Sequence, residues 1–126
     1  MAKAEYDFAV HGGAISAIGL GVTIPDNAMI VGGYVDCVVT ATSAAADAGT
    51  GAISVQGAND IVSAIAISDG TNPWDAPGRK AIVPKANTPE TTSIKLTADR
   101  EITFTIATQV WTAGNFIVYL FYTISE

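Results

Sequence analysis

The sequence predicts an all-β fold, an antiparallel sandwich of about eight strands with jelly-roll character. Three observations carry that reading. Val, Ile, Thr, Phe and Tyr dominate the ordered runs, and such side chains suit a pleated, half-buried surface. Apolar and polar residues alternate with a period of two, as in a strand with one face buried. No window of eleven or more residues sustains the 3.6-residue apolar stripe of an amphipathic helix.

Residues near 5–10, 14–20, 28–40, 52–56, 62–67, 80–83 and 92–97 read as strands, followed by 101–108 paired with 116–124. The clearest is Glu101–Ile106, where Ile102, Phe104 and Ile106 face one side and Glu101, Thr103 and Thr105 the other. Ser93–Leu96 and Ile53–Gln56 alternate in the same way, and Ile65 and Ile67 are expected to point inward. The run 28–40 is unusually long and contains Gly32-Gly33, which marks a bulge or bend in a strand. Turn chemistry separates the runs: Pro25-Asp26-Asn27, the glycines around Asp47, Asp69–Pro73 opening a loop to Gly78, Pro84–Pro89, Ala98–Arg100, and a hairpin tip at Ala113-Gly114-Asn115. Thr42–Asp47 is the best helix candidate, but Gly49 and Gly51 follow at once, so it reads as a loop. The absence of repeats and linkers leaves residues 1–126 as one domain, with 1–13 as an extended first strand or arm.

Composition narrows the function classes. A chain of 126 residues buries roughly two-thirds of the surface its unfolded form exposes, enough for a core without staples. Charged residues make up 14% of the chain, against about 25% in ordinary soluble domains. A surface so poor in charge fits a subunit packed against neighbours. The formal net charge of −6 argues against nucleic-acid partners, because neutralising phosphates takes clustered Lys and Arg. The one basic knot is Arg79, Lys80 and Lys85, either a solvated turn or a docking point for an acidic surface. No run is long and apolar enough to span a membrane, and the first residues lack the pattern of a secretory signal.

No cofactor or metal site is expected. Cys37 is the only cysteine, which excludes an intrachain disulfide, and between Val35 and Val39 it should behave as a small buried hydrophobe. His11 stands alone, with no Cys, His or carboxylate at ligand spacing. Asp69-Gly70-Thr71-Asn72 carries oxygen ligands a hard cation could use, but it lacks the alternating carboxylates and bidentate Glu of a calcium loop. The acids are scattered over turns, with no paired carboxylates to do hydrolysis. These absences point away from an enzyme.

The last strand carries the strongest functional hint. Phe116, Val118, Leu120, Tyr122 and Ile124 form one face, and Ile117, Tyr119, Phe121 and Thr123 the other. A strand apolar on both faces is covered on both. Either a terminal arm of the chain covers the Ile117–Tyr119–Phe121 face, or another copy of the protein does. Trp74 and Trp111 fall in presumed loops, where an indole either caps the core or stands out to stack on a sugar or enter a partner.

The run 21–36, GVTIPDNAMIVGGYVD, together with LTADREIT at 96–103 and WTAGNF at 111–116, resembles small proteins encoded among the head genes of tailed bacteriophages. That resemblance covers about the whole chain. It implies a β-sandwich that decorates or cements a capsid, commonly as a trimer, with the major capsid protein as partner and the virion as location. The alternative from another class is a carbohydrate- or receptor-binding module of a head or tail fibre, with Trp74 and Trp111 as platforms. Exposure of both indoles at one end of the sandwich favours that alternative, and their burial favours assembly.

Overall fold

A computed structural model describes residues 1–82 and 94–125. Among these it has nine strands and one short helix: β1 (Ala2–Asp7), α1 (Phe8–His11), β2 (Ser16–Ile24), β3 (Ala28–Ser43), β4 (Thr50–Ser54), β5 (Val62–Ala66), β6 (Gly78–Ile82), β7 (Ile94–Lys95), β8 (Arg100–Ala107) and β9 (Trp111–Ile124). They form two antiparallel sheets. The front sheet has the order β1-β9-β3-β6, with β7 also pairing β3, and the back sheet has the order β2-β8-β4-β5.

The pairing is nested: β4 with β5, β3 with β6 and β7, β2 with β8, and β1 with β9. The chain is thus one long hairpin rolled into two layers, the jelly-roll path. The sequence reading of 101–108 paired with 116–124 is corrected here. Strand β8 lies between β2 and β4 in the back sheet, and β9 between β1 and β3 in the front one. Only residues 108–110 separate them, and Thr108 takes a left-handed φ of 72° as the chain crosses between layers. Alternation tells which face of a strand is buried, but not which strand lies beside it. The expected tip at Ala113–Asn115 is for the same reason not a turn but the early part of β9.

The other departures have local causes. The first strand ends at Asp7, whose carboxylate accepts from Ala9 N at 3.0 Å and caps a four-residue helix. Gly12, with φ 75°, closes that helix by donating to Phe8 O. In β3 the register against β9 shifts between Ile30 and Gly32, the bulge expected from the glycine pair. Gly33 is fixed by contact: a Cβ there would lie 2.2 Å from Tyr119 O.

The core is built from the inward rows of both sheets. Ala4, Val118 and Val35 are neighbours across three front strands, and so are Tyr6, Phe116 and Cys37. All six are buried. The back sheet contributes Ile53, Ile102, Phe104 and Ile106. Five aromatic rings fill the space between the layers. Phe104 has its centroid 4.7 Å from Tyr6, 4.9 Å from Trp111, 5.0 Å from Phe116 and 5.6 Å from Trp74. Most of these contacts are tilted or edge-to-face, the favoured geometry for aromatic pairs. Gly51, on β4, leaves the floor of this cluster open, since a Cβ there would lie 2.7 Å from the Trp111 ring and 2.9 Å from Phe104 and Trp74.

Two predictions follow from the cluster. Gly51→Ala should overpack it and lower stability by about 1–3 kcal/mol in urea unfolding, with strand content retained. Burial first, and the nearby charge of Asp7 second, push the Tyr6 hydroxyl up from 10 to about 12, while that hydroxyl donates to Gly12 O at 2.6 Å. Below the ordinary value both folded and unfolded chains hold this proton, so it adds no pH dependence. Between about 10 and about 12 only the folded chain keeps it, so stability should fall as pH rises through that window. Tyr6→Phe should flatten this part of the profile relative to the unsubstituted protein.

Candidate functional site

The outer face of the front sheet is where the sequence hint lands. Cross-strand register sets its rows. Lys3, Tyr119, Tyr34 and Ala81 stand side by side on β1, β9, β3 and β6, and the next row holds Glu5, Ile117, Asp36 and Arg79. Phe121 lies beyond Tyr119, opposite Gly32. The Tyr34 and Tyr119 rings stack with centroids 4.5 Å apart, and Tyr34 is 6.0 Å from the Phe121 ring. Lys3 Nζ sits 5.8 Å from the Tyr119 centroid, within reach of a cation–π contact.

Ile117 and Tyr119 are half-buried, while Phe121 is 41% exposed. Among the described residues no arm crosses this face. Residues 2–7 instead pair edge-on with β9 as β1. Tyr119 is partly covered by the stacked Tyr34 ring and by Lys3. What results is an aromatic strip flanked by Lys3 and Glu5 on one side and by Asp36 and Arg79 on the other. The outer face of the back sheet is different, with rows of Ala17, Thr105 and Ala52 and of Gly19, Thr103 and Ser54.

The sequence singled out Ile117, Tyr119 and Phe121 but missed Tyr34, Lys3, Glu5 and Asp36 on the same face. Their alternation was visible within each strand. Only the register of β1 and β3 against β9 brings them together.

Trp74 and Trp111 are corrected as loop-tip contacts. Their exposures are 0% and 2%, and both rings belong to the core cluster. Trp111 opens β9, donates from Nε1 to Thr50 O at 3.2 Å, and its backbone N donates to Gly13 O. Trp74 is turned inward by Asn72, which is itself fully buried. The Asn72 side chain accepts from Trp74 N at 3.0 Å and donates to Ile67 O at 2.9 Å.

The basic knot does not act as one. Arg79 lies on the outer face, with Nε 3.9 Å from an Asp36 oxygen. Its neighbour Lys80 points the other way and donates to Asn72 O at 2.8 Å. Lys85 lies outside the described residues.

The remaining candidates are structural. Asp69 accepts from Thr71 N at 3.0 Å and from Thr71 Oγ1 at 2.8 Å, and these two bonds hold its carboxyl below the usual range. That is a closed turn rather than a cation loop. Among the described residues no three His, Cys, Asp or Glu side chains are placed to hold a metal. His11 Nδ1 lies 3.1 Å from Asp7 N at the helix. Burial pushes the Cys37 thiol up, away from nucleophilic character. A cleft of about 390 Å³ runs between the edges of β5 and β6. Its two charged groups are already committed: Asp60 accepts from the backbone N of Val55, Gln56 and Gly57, and Lys80 is held by Asn72.

The fold has solved counterparts. A chain of the capsid of cyanophage Pam1 superposes with a TM-score of 0.68 at 12% identity, over 98% of this chain and 83% of that one. A chain of the capsid of Ralstonia phage GP4 gives 0.61 at 16% identity, covering 98% and 84%. A chain from the acid-stable capsid of Helicobacter pylori bacteriophage KHP30 gives 0.61 at 12%, covering 96% and 83%. No protein-family model and no curated protein matches the chain. The likeness lies in the fold, which spans nearly all of this chain.

The burial of both indoles generates a direct check. Tryptophan emission should be blue-shifted and poorly quenched by iodide, and saturating mono- and oligosaccharides should leave it unchanged. Ready quenching would place an indole at the surface and restore the sugar-platform reading.

Proposed function

We propose that this chain is a structural protein of a phage virion, decorating or cementing the capsid through contacts with copies of itself and with the major capsid protein. The observation that carries this reading is the aromatic strip on the front sheet. Tyr34, Tyr119 and Phe121 line up on a face that no third layer covers among the described residues. A shared fold with chains of three phage capsids supports the same reading. So does the low fraction of charged residues.

The physics of such a role is modest per contact and large in sum. A subunit present in many copies gains hold on a shell through many weak interfaces, as linked binding events add avidity. It needs a rigid scaffold and a face of suitable chemistry, and no pocket. The trimeric state implied by the sequence resemblance is one arrangement of this face among several. The rival reading, a sugar- or receptor-binding fibre module, loses its two platforms because Trp74 and Trp111 lie inside the core.

Phe121→Asp tests the proposal. It places a charge on the exposed end of the strip, where a core role is not at stake. Far-ultraviolet circular dichroism and the urea midpoint should stay close to the parent, while self-association and capsid binding should weaken about tenfold or more, a loss typical of removing an aromatic interface anchor. Unfolding of this variant would assign Phe121 to the core. Unchanged association would remove the strip from the interface.

A further inference from the structure

We infer that the front-sheet face is self-complementary, and that it pairs with the same face of a second copy about a two-fold axis running along the strands between β9 and β3. This deepens the reading of that face as an interface and rests on it.

The order of residues in each row makes the face match itself. An axis along the strands keeps every row at its level and reverses the order of the four strands. In one row Lys3, Tyr119, Tyr34 and Ala81 then meet Ala81, Tyr34, Tyr119 and Lys3 of the other copy. Tyrosine falls on tyrosine, and the lysine on alanine, so no like charges oppose. In the next row Glu5, Ile117, Asp36 and Arg79 meet Arg79, Asp36, Ile117 and Glu5. Glu5 of each copy is brought to Arg79 of the other. Phe121 falls opposite Gly32, where open space stands in place of a Cβ.

The charged groups are free to do this. Glu5 has no ion-pair partner among the described residues, and the Arg79 side chain is 74% exposed with a single long contact to Asp36. A guanidinium offers five donors in a planar fork and can serve a second carboxylate without releasing the first. The one indifferent match is Asp36 beside Ile117, and there Arg79 already offsets the carboxylate. Two sheets packing face to face keep their strands within about 30° of each other, which preserves this row-to-row matching near the axis. Because the interface is isologous, each favourable contact occurs twice.

The other in-plane two-fold, lying across the strands, gives a poorer match. It sets Tyr34 on Asp36 and pairs Glu5 with Lys3 instead of Arg79. That difference makes the axis testable by charge exchange.

Sedimentation equilibrium of the full chain should show a monomer–dimer equilibrium. Glu5→Arg and Arg79→Glu should each raise the dimer Kd about tenfold or more, since each substitution breaks two contacts and creates two repulsions. The double variant should return to within a few-fold of the parent. Circular dichroism should stay unchanged throughout, both positions being on the surface. Rescue of Glu5→Arg by Lys3→Glu in place of Arg79→Glu, or no rescue by either, would overturn the proposed axis. A trimer that Phe121→Asp dissociates would overturn it too, while leaving the face as an interface. A strict monomer at millimolar concentration, with capsid binding unaffected by Phe121→Asp, would overturn both.

Discussion

Everything in this molecule is arranged around five aromatic rings between two sheets. Tyr6 and Phe116 come from the front sheet and Phe104 from the back. Trp111 comes from the start of β9, and Trp74 from the loop between β5 and β6. These residues are far apart in sequence, so the cluster forms only when the long hairpin has rolled up. Rings of this size each bury a large apolar area. Packing them at interior density also constrains what lies around them. Gly51 must lack a side chain, Asn72 must turn Trp74 inward, and β8 and β9 must lie in different layers.

That arrangement also decides what is left for the surface. Because both tryptophans are consumed by the core, neither stands at a loop tip for recognition. Of the aromatic side chains that are not fully buried, Phe8 and Tyr122 pack against the core, while Tyr34, Tyr119 and Phe121 share one outer face. They lie on the central strands β3 and β9, away from the sheet edges. The edge strands carry their own protection against strand addition. β1 alternates Lys3 and Glu5, β6 carries Arg79 and Lys80, and both β2 and the β4–β5 pair have register shifts. Edges are blunted while a face is left aromatic, which favours assembly through that face.

Much of this was legible in the sequence, for definite reasons. The two-residue period of Ile102, Phe104 and Ile106 and of Phe116, Val118 and Leu120 correctly gave the buried faces, because alternation in a strand reports directly on which side meets the core. Gly32-Gly33 correctly marked the bulge in the longest strand. The partner of each strand was not legible. The 101–108 and 116–124 runs look like a hairpin by proximity, yet three residues carry the chain across the sandwich. The short helix at Phe8–His11 was hidden because a four-residue element has no periodicity to detect, and only the Asp7 and Gly12 caps betray it. The indoles were ambiguous because Trp74 is positioned by a buried asparagine in a loop, a contact that composition does not encode. The candidate face was half visible, its β9 column readable and its β1, β3 and β6 columns dependent on register.

The central claim is that the Tyr34–Tyr119–Phe121 strip is the surface this protein uses when it assembles. Hydroxyl-radical footprinting of the dilute protein and of the same protein bound in particles, read out by mass spectrometry, addresses it residue by residue. The account predicts that Tyr34, Tyr119 and Phe121 lose labelling on assembly, while Ile15 at the end of the sandwich and the Thr103–Thr105 face keep theirs. Equal labelling of the strip in both states, with protection appearing on the back sheet, would contradict it.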